Sequence, residues 1–186
     1  MRVIALCALA AFAPFALAQA GGSPYVSANL GEARYEIECA TGLNCDELDK
    51  AYQFALGWQF NRYLAAELAY SDLGQADLEG PAFGAFLHAS GYELSGVGTY
   101  PLGGTVFSLL GRLGLAYTKT KYGRDLAGER AATGLTYGAG LQLDFTKNVA
   151  VRLQWQRFNV KARIEGQPEE KDDVDTLMFG FLLRVR

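Results

Sequence analysis

The sequence predicts an all-β fold, an eight-stranded antiparallel up-and-down transmembrane β-barrel, and three observations predict it. Apolar and polar residues alternate with period two over about eight runs, each near the roughly 9–11 residues a tilted strand needs to cross a bilayer. The joints between runs alternate between tight turns and longer polar stretches. The bulky apolar side chains of each run share one face, and glycine, alanine, amides and charges share the other. Charged residues make up only 20% of the chain, below the usual share of about 25%, and 22 glycines accompany 12% aromatics. That balance suits strands and tight turns better than a helical bundle.

In chain order, the first element is an expected export signal over residues 1–20. Arg2 supplies its positive end and "VIALCALAAFAPFA" its apolar stretch, with small residues for cleavage after Ala18 or Ala20. The stretch is too short for a spanning helix, which needs about 20 residues. Residues 21–186 are expected to form the barrel domain. Cys7 belongs to the signal. Cys39 and Cys45 enter an oxidising compartment and are expected to form a disulfide. A metal is not expected there, because no histidine lies nearby and structural zinc takes four N/S ligands.

The expected strands are 24–36, 51–60, 63–73, 88–101, 105–120, 132–146, 149–160 and 174–186. Tight turns follow at Phe60-Asn61-Arg62-Tyr63, Pro101-Leu102-Gly103-Gly104 and Thr146-Lys147-Asn148. The longer polar joints are 37–50, 74–87, 121–131 and 161–173. In "TVFSLLGRLGLAYTK", Phe107, Leu109, Leu113, Leu115 and Tyr117 share one face; Ser108, Leu110, Arg112 and Ala116 share the other. Val151, Leu153 and Trp155 likewise oppose Arg152, Gln154 and Gln156, and Phe179 and Phe181 oppose Met178 and Gly180. In "GWQFNRYLAAELAY", Leu64, Ala66, Leu68 and Tyr70 oppose Ala65, Glu67 and Ala69. A soluble barrel would turn its greasy face inward around a ligand. An interior lined by Glu67, Arg112 and Arg152 suits the opposite arrangement, with lipid outside and a polar lumen. Aromatics near the strand ends (Trp58, Phe60 and Tyr100 by the turns; Tyr52, Tyr70, Tyr117 and Trp155 toward the long joints) fit two interfacial girdles.

On "GWQFNRYLAAELAY", "YPLGG…LLGRLGLAY", "AGLQLDFTKNVAVRLQWQRF" and "FGFLLRVR", the chain resembles the OmpA-like transmembrane domain family of eight-stranded outer-membrane barrels. The resemblance covers nearly the whole mature chain. It implies a protein of the Gram-negative outer membrane whose interior charges pair with one another. Glu67 matches the family's lumen carboxylate on the third strand, and Arg152 its lumen arginine on the seventh. Three departures stand out. No peptidoglycan-binding segment follows the eighth strand, so cell-wall tethering is not expected. The final strand ends in Val185-Arg186 instead of an aromatic residue, and the Cys39–Cys45 loop is not a general family feature.

The candidate site is a lumen charge network of Glu67, Glu93 and Asp144 against Arg112, Arg152 and Arg184. Eight strands enclose a space that side chains just fill, so the network is expected to close the lumen. Whether Glu67 takes Arg112, Arg152 or both is left open by the sequence. The function this implies is structural or surface-interacting, through long extracellular loops. One alternative is a narrow ion pore gated by rearranged Glu67–arginine pairs. Another is a lipid A-modifying acyl hydrolase using His88 and Ser90, which share a strand face while Glu93 has the opposite parity; no other acid is identifiable, and an enzyme is not expected. No cofactor is expected. A monomer is expected among outer-membrane lipid and lipopolysaccharide, with host or surface ligands reached through the loops. A net charge of −3 gives no reason to expect nucleic acid as a partner.

Overall fold

The computed structural model describes residues 22–35, 44–46, 48–80, 83–124, 128–162 and 170–185. The expected signal (1–20) lies outside them. So does Cys39, and with it the expected Cys39–Cys45 disulfide. In chain order the strands are β1 (Ser23–Tyr35), β2 (Asn44–Asp46), β3 (Leu48–Gln59), β4 (Leu64–Gly80), β5 (Phe83–Pro101), β6 (Phe107–Arg124), β7 (Gly128–Asp144), β8 (Val149–Ala162) and β9 (Glu170–Arg184). All pairings are antiparallel. Each long strand pairs with the next, and β9 returns to β1 through a ladder from Tyr25↔Arg184 to Tyr35↔Val174. The result is a closed eight-stranded barrel, with short β2 continuing the β3 edge of β4 at its far end.

Residue parity decides which way each side chain points. On β6, Leu109, Leu113, Leu115 and Tyr117 are exposed, while Ser108, Leu110, Arg112, Ala116 and Thr118 are buried. On β8 and β9, Leu153, Trp155, Phe179, Phe181 and Leu183 face out, while Arg152, Gln154, Gln156, Met178 and Leu182 face in. The outer belt of large apolar side chains is therefore continuous around the ring, which requires a hydrocarbon solvent. Closure pairs the backbone groups that such a solvent leaves without partners.

A side-chain oxygen organises each of the three tight turns. Asn61 Oδ1 accepts from the backbone N–H groups of Tyr63 (2.8 Å) and Leu64 (3.0 Å). The Thr105 hydroxyl donates to Leu102 O (2.7 Å), beside Gly104 at φ 76°. Thr146 Oγ1 accepts from Asn148 N (3.2 Å) and Val149 N (3.0 Å). These local bonds replace ladder bonds where the chain reverses.

The other end of the barrel differs from expectation. Much of the predicted joints 74–87 and 121–131 is strand: β4 runs to Gly80 and β5 starts at Phe83, β6 runs to Arg124 and β7 starts at Gly128. The joint 161–173 is strand at both ends, and β3 starts at Leu48. The physical reason lies in the ladder. Once the barrel fixes a hairpin's register, its backbone pairs onward regardless of side-chain polarity. Above the membrane both faces meet water, so the alternation that marks a strand in sequence is no longer required. One irregularity interrupts the β4–β5 ladder, between Asp72↔Ser90 and Gln75↔His88, with Gly74 at φ 76°.

Candidate functional site in the barrel lumen

Glu67 sits at the centre of the lumen, 2% exposed, and accepts three bonds from three different strands. Arg112 of β6 donates from Nη2 to Oε2 at 2.6 Å, Arg152 of β8 donates from Nη1 to Oε1 at 2.5 Å, and Tyr25 of β1 donates its hydroxyl to Oε1 at 2.6 Å. Both arginines therefore hold Glu67. Tyr25 reaches it by lying across Gly57, the residue opposite it on β3 and opposite Glu67 in the next ladder. A Cβ on Gly57 would overlap the Tyr25 ring. The Arg152 guanidinium also lies over that ring, 5.5 Å from its centroid.

The remaining charges join through amides. Arg112 Nε lies 3.4 Å from Glu93 Oε1, an ion pair without hydrogen-bond geometry. Arg112 Nη1 donates to Gln156 Oε1 (3.0 Å) and Gln53 Oε1 (3.2 Å), and Gln156 Nε2 donates to Glu93 Oε2 (2.7 Å). Toward the turns, Arg152 Nε donates to Gln142 Oε1 (2.9 Å), Gln142 Nε2 donates to Asp144 (3.0 Å), and Arg184 Nη2 donates to Asp144 Oδ1 (2.8 Å). The six residues singled out in the sequence thus lie in one hydrogen-bonded chain. Gln53, Gln142, Gln154 and Gln156, which link it, are buried and were not singled out. Their inward parity was visible. Their role depends on cross-barrel reach, which parity does not supply.

An apolar layer covers this polar one on the outer side, and a small apolar cluster flanks it on the turn side. On the outer side Tyr35, Leu73, Phe158, Val174 and Met178 pack with Ala33, Ala51, Ala89 and Ala116. The Tyr35 hydroxyl donates to Leu73 O at 3.0 Å, which ties the layer to β4. On the turn side Tyr25, Ala150 and Leu182 pack together. Below them a small, water-sized vestibule, lined by Gln59, Thr99, Gln142 and Arg184 among others, ends at Tyr25 and Arg152. Thus the lumen is polar at mid-depth but greasy toward the outside.

His88 and Ser90 lie elsewhere, on the outward face of β5, while Glu93 is buried in the lumen. His88 Nε2 is 3.1 Å from Asp72 Oδ1, a neighbour the sequence did not identify. Among the described residues no three His, Cys, Asp or Glu side chains gather as a metal site.

A closed β-barrel with a lipid-facing belt and a charge-paired interior defines an integral membrane-barrel protein. The chain belongs to the outer membrane protein β-barrel domain family, whose profile matches residues 3–184. It is therefore a protein of the Gram-negative outer membrane. It is 34% identical over 110 residues to outer membrane protein A of Serratia marcescens, covering 54% of this chain and 30% of that protein, so the chain spans under a third of that relative's length. Solved structures share the fold. Ail of Yersinia pestis, in complex with the heparin analogue sucrose octasulfate, matches with TM-score 0.57 at 18% identity over 88% of this chain and 99% of Ail. Neisserial surface protein A matches with TM-score 0.63 at 12% identity over 89% and 99% of the two chains. The N-terminal barrel domain of Pseudomonas aeruginosa OprF matches with TM-score 0.54 at 17% identity over 87% and 99%.

Proposed function

We propose that the chain is a monomeric, sealed outer-membrane scaffold that acts at the cell surface. The observation that carries this reading is the stacking of Glu67, clamped by both arginines, beneath the outer apolar layer. A lumen filled in this way offers ions no hydrated path, because each layer would have to be displaced in turn. The function then falls to the strand extensions of β4–β7, which carry the sheet beyond the membrane and suit the binding of host or surface ligands. The Ail complex supports a polyanionic class of ligand by analogy of fold alone.

Two measurements test this together. Planar-bilayer recording of the wild-type chain is expected to show no steady conductance. Replacing 76–87 and 122–130 by short turns is expected to abolish cell binding to heparin-coated and epithelial surfaces while the barrel keeps its heat-modifiable migration. Steady wild-type conductance, or binding that survives the shortening, rejects the reading. The rival, a narrow gated pore, draws support from Glu67 being shared: an arginine released from it has Glu93 or Gln142 near at hand to receive it.

A further inference from the structure

The chain's single histidine plays no part in the lumen. His88 stands on the outward face of β5, its Nε2 3.1 Å from Asp72 Oδ1 across the β4–β5 ladder, with the two side chains 35% and 36% exposed. Ser90 shares that face two residues along and is the ladder partner of Asp72. Three groups able to form a nucleophile, a base and an orienting acid therefore emerge in one patch. We propose that Asp72, His88 and Ser90 form an outward-facing hydrolytic site for acyl esters of outer-leaflet lipids.

Several features converge on this patch. The β4 ladder is interrupted immediately after Asp72, where an extra residue and the positive φ of Gly74 bend the strand. The bulge is pinned: Asp72 Oδ1 accepts from Gly74 N at 3.1 Å, and Asp49 Oδ2 accepts from Gln75 N at 2.5 Å. Bulges of this kind re-aim side chains and gather beside active sites. On the membrane side lies a row of outward tyrosines: Tyr70 and Tyr92, with ring centroids 5.3 Å apart, and Tyr117 opposite Tyr92 on β6. Such a row marks the interface between hydrocarbon and head groups, the depth at which lipid ester linkages lie. Lys119 and Lys121 occupy the ladder positions opposite Ser90 and His88, and their charge favours phosphate-bearing lipids.

The chemistry follows from the histidine's orientation. An Nε2–H donating to Asp72 leaves Nδ1, the ring nitrogen nearer the backbone, as the proton acceptor. In the proposed site Ser90, two residues along the same strand face, is the hydroxyl that Nδ1 serves. Such contacts are commonly loose before substrate binds. The Ser90 hydroxyl oxygen attacks the ester carbonyl carbon as its proton passes to Nδ1. The ester C–O bond breaks, and that proton leaves on the lipid alcohol. Water then attacks the acyl-Ser90 ester and gives a proton to Nδ1. The Ser90 Oγ–acyl bond breaks, Ser90 recovers the proton, and the fatty acid departs. No oxidant, metal or cofactor enters the balance.

The test uses the full chain folded in vesicles of phospholipid with lipopolysaccharide, treated with a fluorophosphonate reagent and, separately, assayed by mass spectrometry for released fatty acid. The expected result is a single covalent adduct mapping to Ser90 and measurable fatty-acid release. Ser90→Ala is expected to abolish both, and His88→Gln to slow both about 10²–10⁴-fold. Asp72→Asn is expected to slow both at least tenfold. All three side chains point away from the lumen, so heat-modifiable migration verifies that each variant remains folded. A folded wild-type chain that gives no Ser90 adduct, or fatty-acid release that Ser90→Ala leaves unchanged, overturns the proposal. It stands apart from the sealed-lumen reading, and conductance results do not bear on it.

Discussion

Removing the Glu67 carboxylate tests the lumen reading most directly. Glu67→Ala deletes the acceptor of three hydrogen bonds at once, from Tyr25, Arg112 and Arg152. Arg112 retains Glu93 at 3.4 Å, but among the described residues Arg152 keeps only Gln142 and the face of Tyr25. The described network holds the carboxylates Glu67, Glu93 and Asp144 against Arg112, Arg152 and Arg184, so its net charge moves from zero to +1. With Glu67 only 2% exposed, solvent screens little of the loss. Breaking a buried pair by removing one partner costs about 3–5 kcal/mol. A loss near 4 kcal/mol lowers the folding constant by about 10³-fold. Arg152→Ala added to Glu67→Ala restores neutrality, and the double variant is expected to fall short of the summed losses by about 1–3 kcal/mol. The assay is equilibrium urea unfolding in lipid vesicles, followed by the fluorescence of Trp58 and Trp155. A Glu67→Ala loss below about 1 kcal/mol, or strict additivity in the double variant, would contradict a pinned polar layer.

Four further outcomes follow from the same geometry. Tyr25→Phe removes only the hydroxyl that donates to Glu67 and is expected to cost about 1.5–3 kcal/mol in the same unfolding assay, as for other bonds to charged groups. Gly57→Ala places a methyl where the Tyr25 ring lies; it is expected to destabilise the fold by about 1–3 kcal/mol, and combining it with Tyr25→Ala should recover much of that loss. Phe158→Ala opens the outer apolar layer at a cost of about 3–5 kcal/mol. In planar bilayers neither Phe158→Ala nor Glu67→Ala alone is expected to conduct, whereas the pair together should. Conductance from Glu67→Ala alone refutes the two-layer seal and favours the gated pore.

Parity in the sequence carried much of this architecture. It placed Glu67, Arg112 and Arg152 inside and Leu113, Leu153 and Phe179 outside, because a lipid solvent forces strict alternation within the membrane. Above the membrane that constraint ends, which is why the strand lengths of β4–β7 were not legible in the polar joints. The pairing of Glu67 was not legible either, since β1, β6 and β8 meet it only after the ring closes. The glutamine links depend on side-chain reach across the lumen, and the Asp72–His88 contact depends on a bulge that no local pattern announces. The outer apolar layer was missed for a different reason: Leu73 shares the parity of Glu67 and Phe158 that of Arg152, but their composition resembles that of lipid-facing residues.

The β1–β9 ladder has a consequence for biogenesis. The first strand of the barrel finds its second neighbour only when Val174 to Arg184 are available, about 150 positions further along the chain. Until then β1 and the growing opposite edge each expose a row of N–H and C=O groups that hydrocarbon does not accept. A chain cut before β9 therefore loses the whole membrane-inserted state, not one eighth of it. In the closed ring β9 is the latch, because it alone joins β8 to β1.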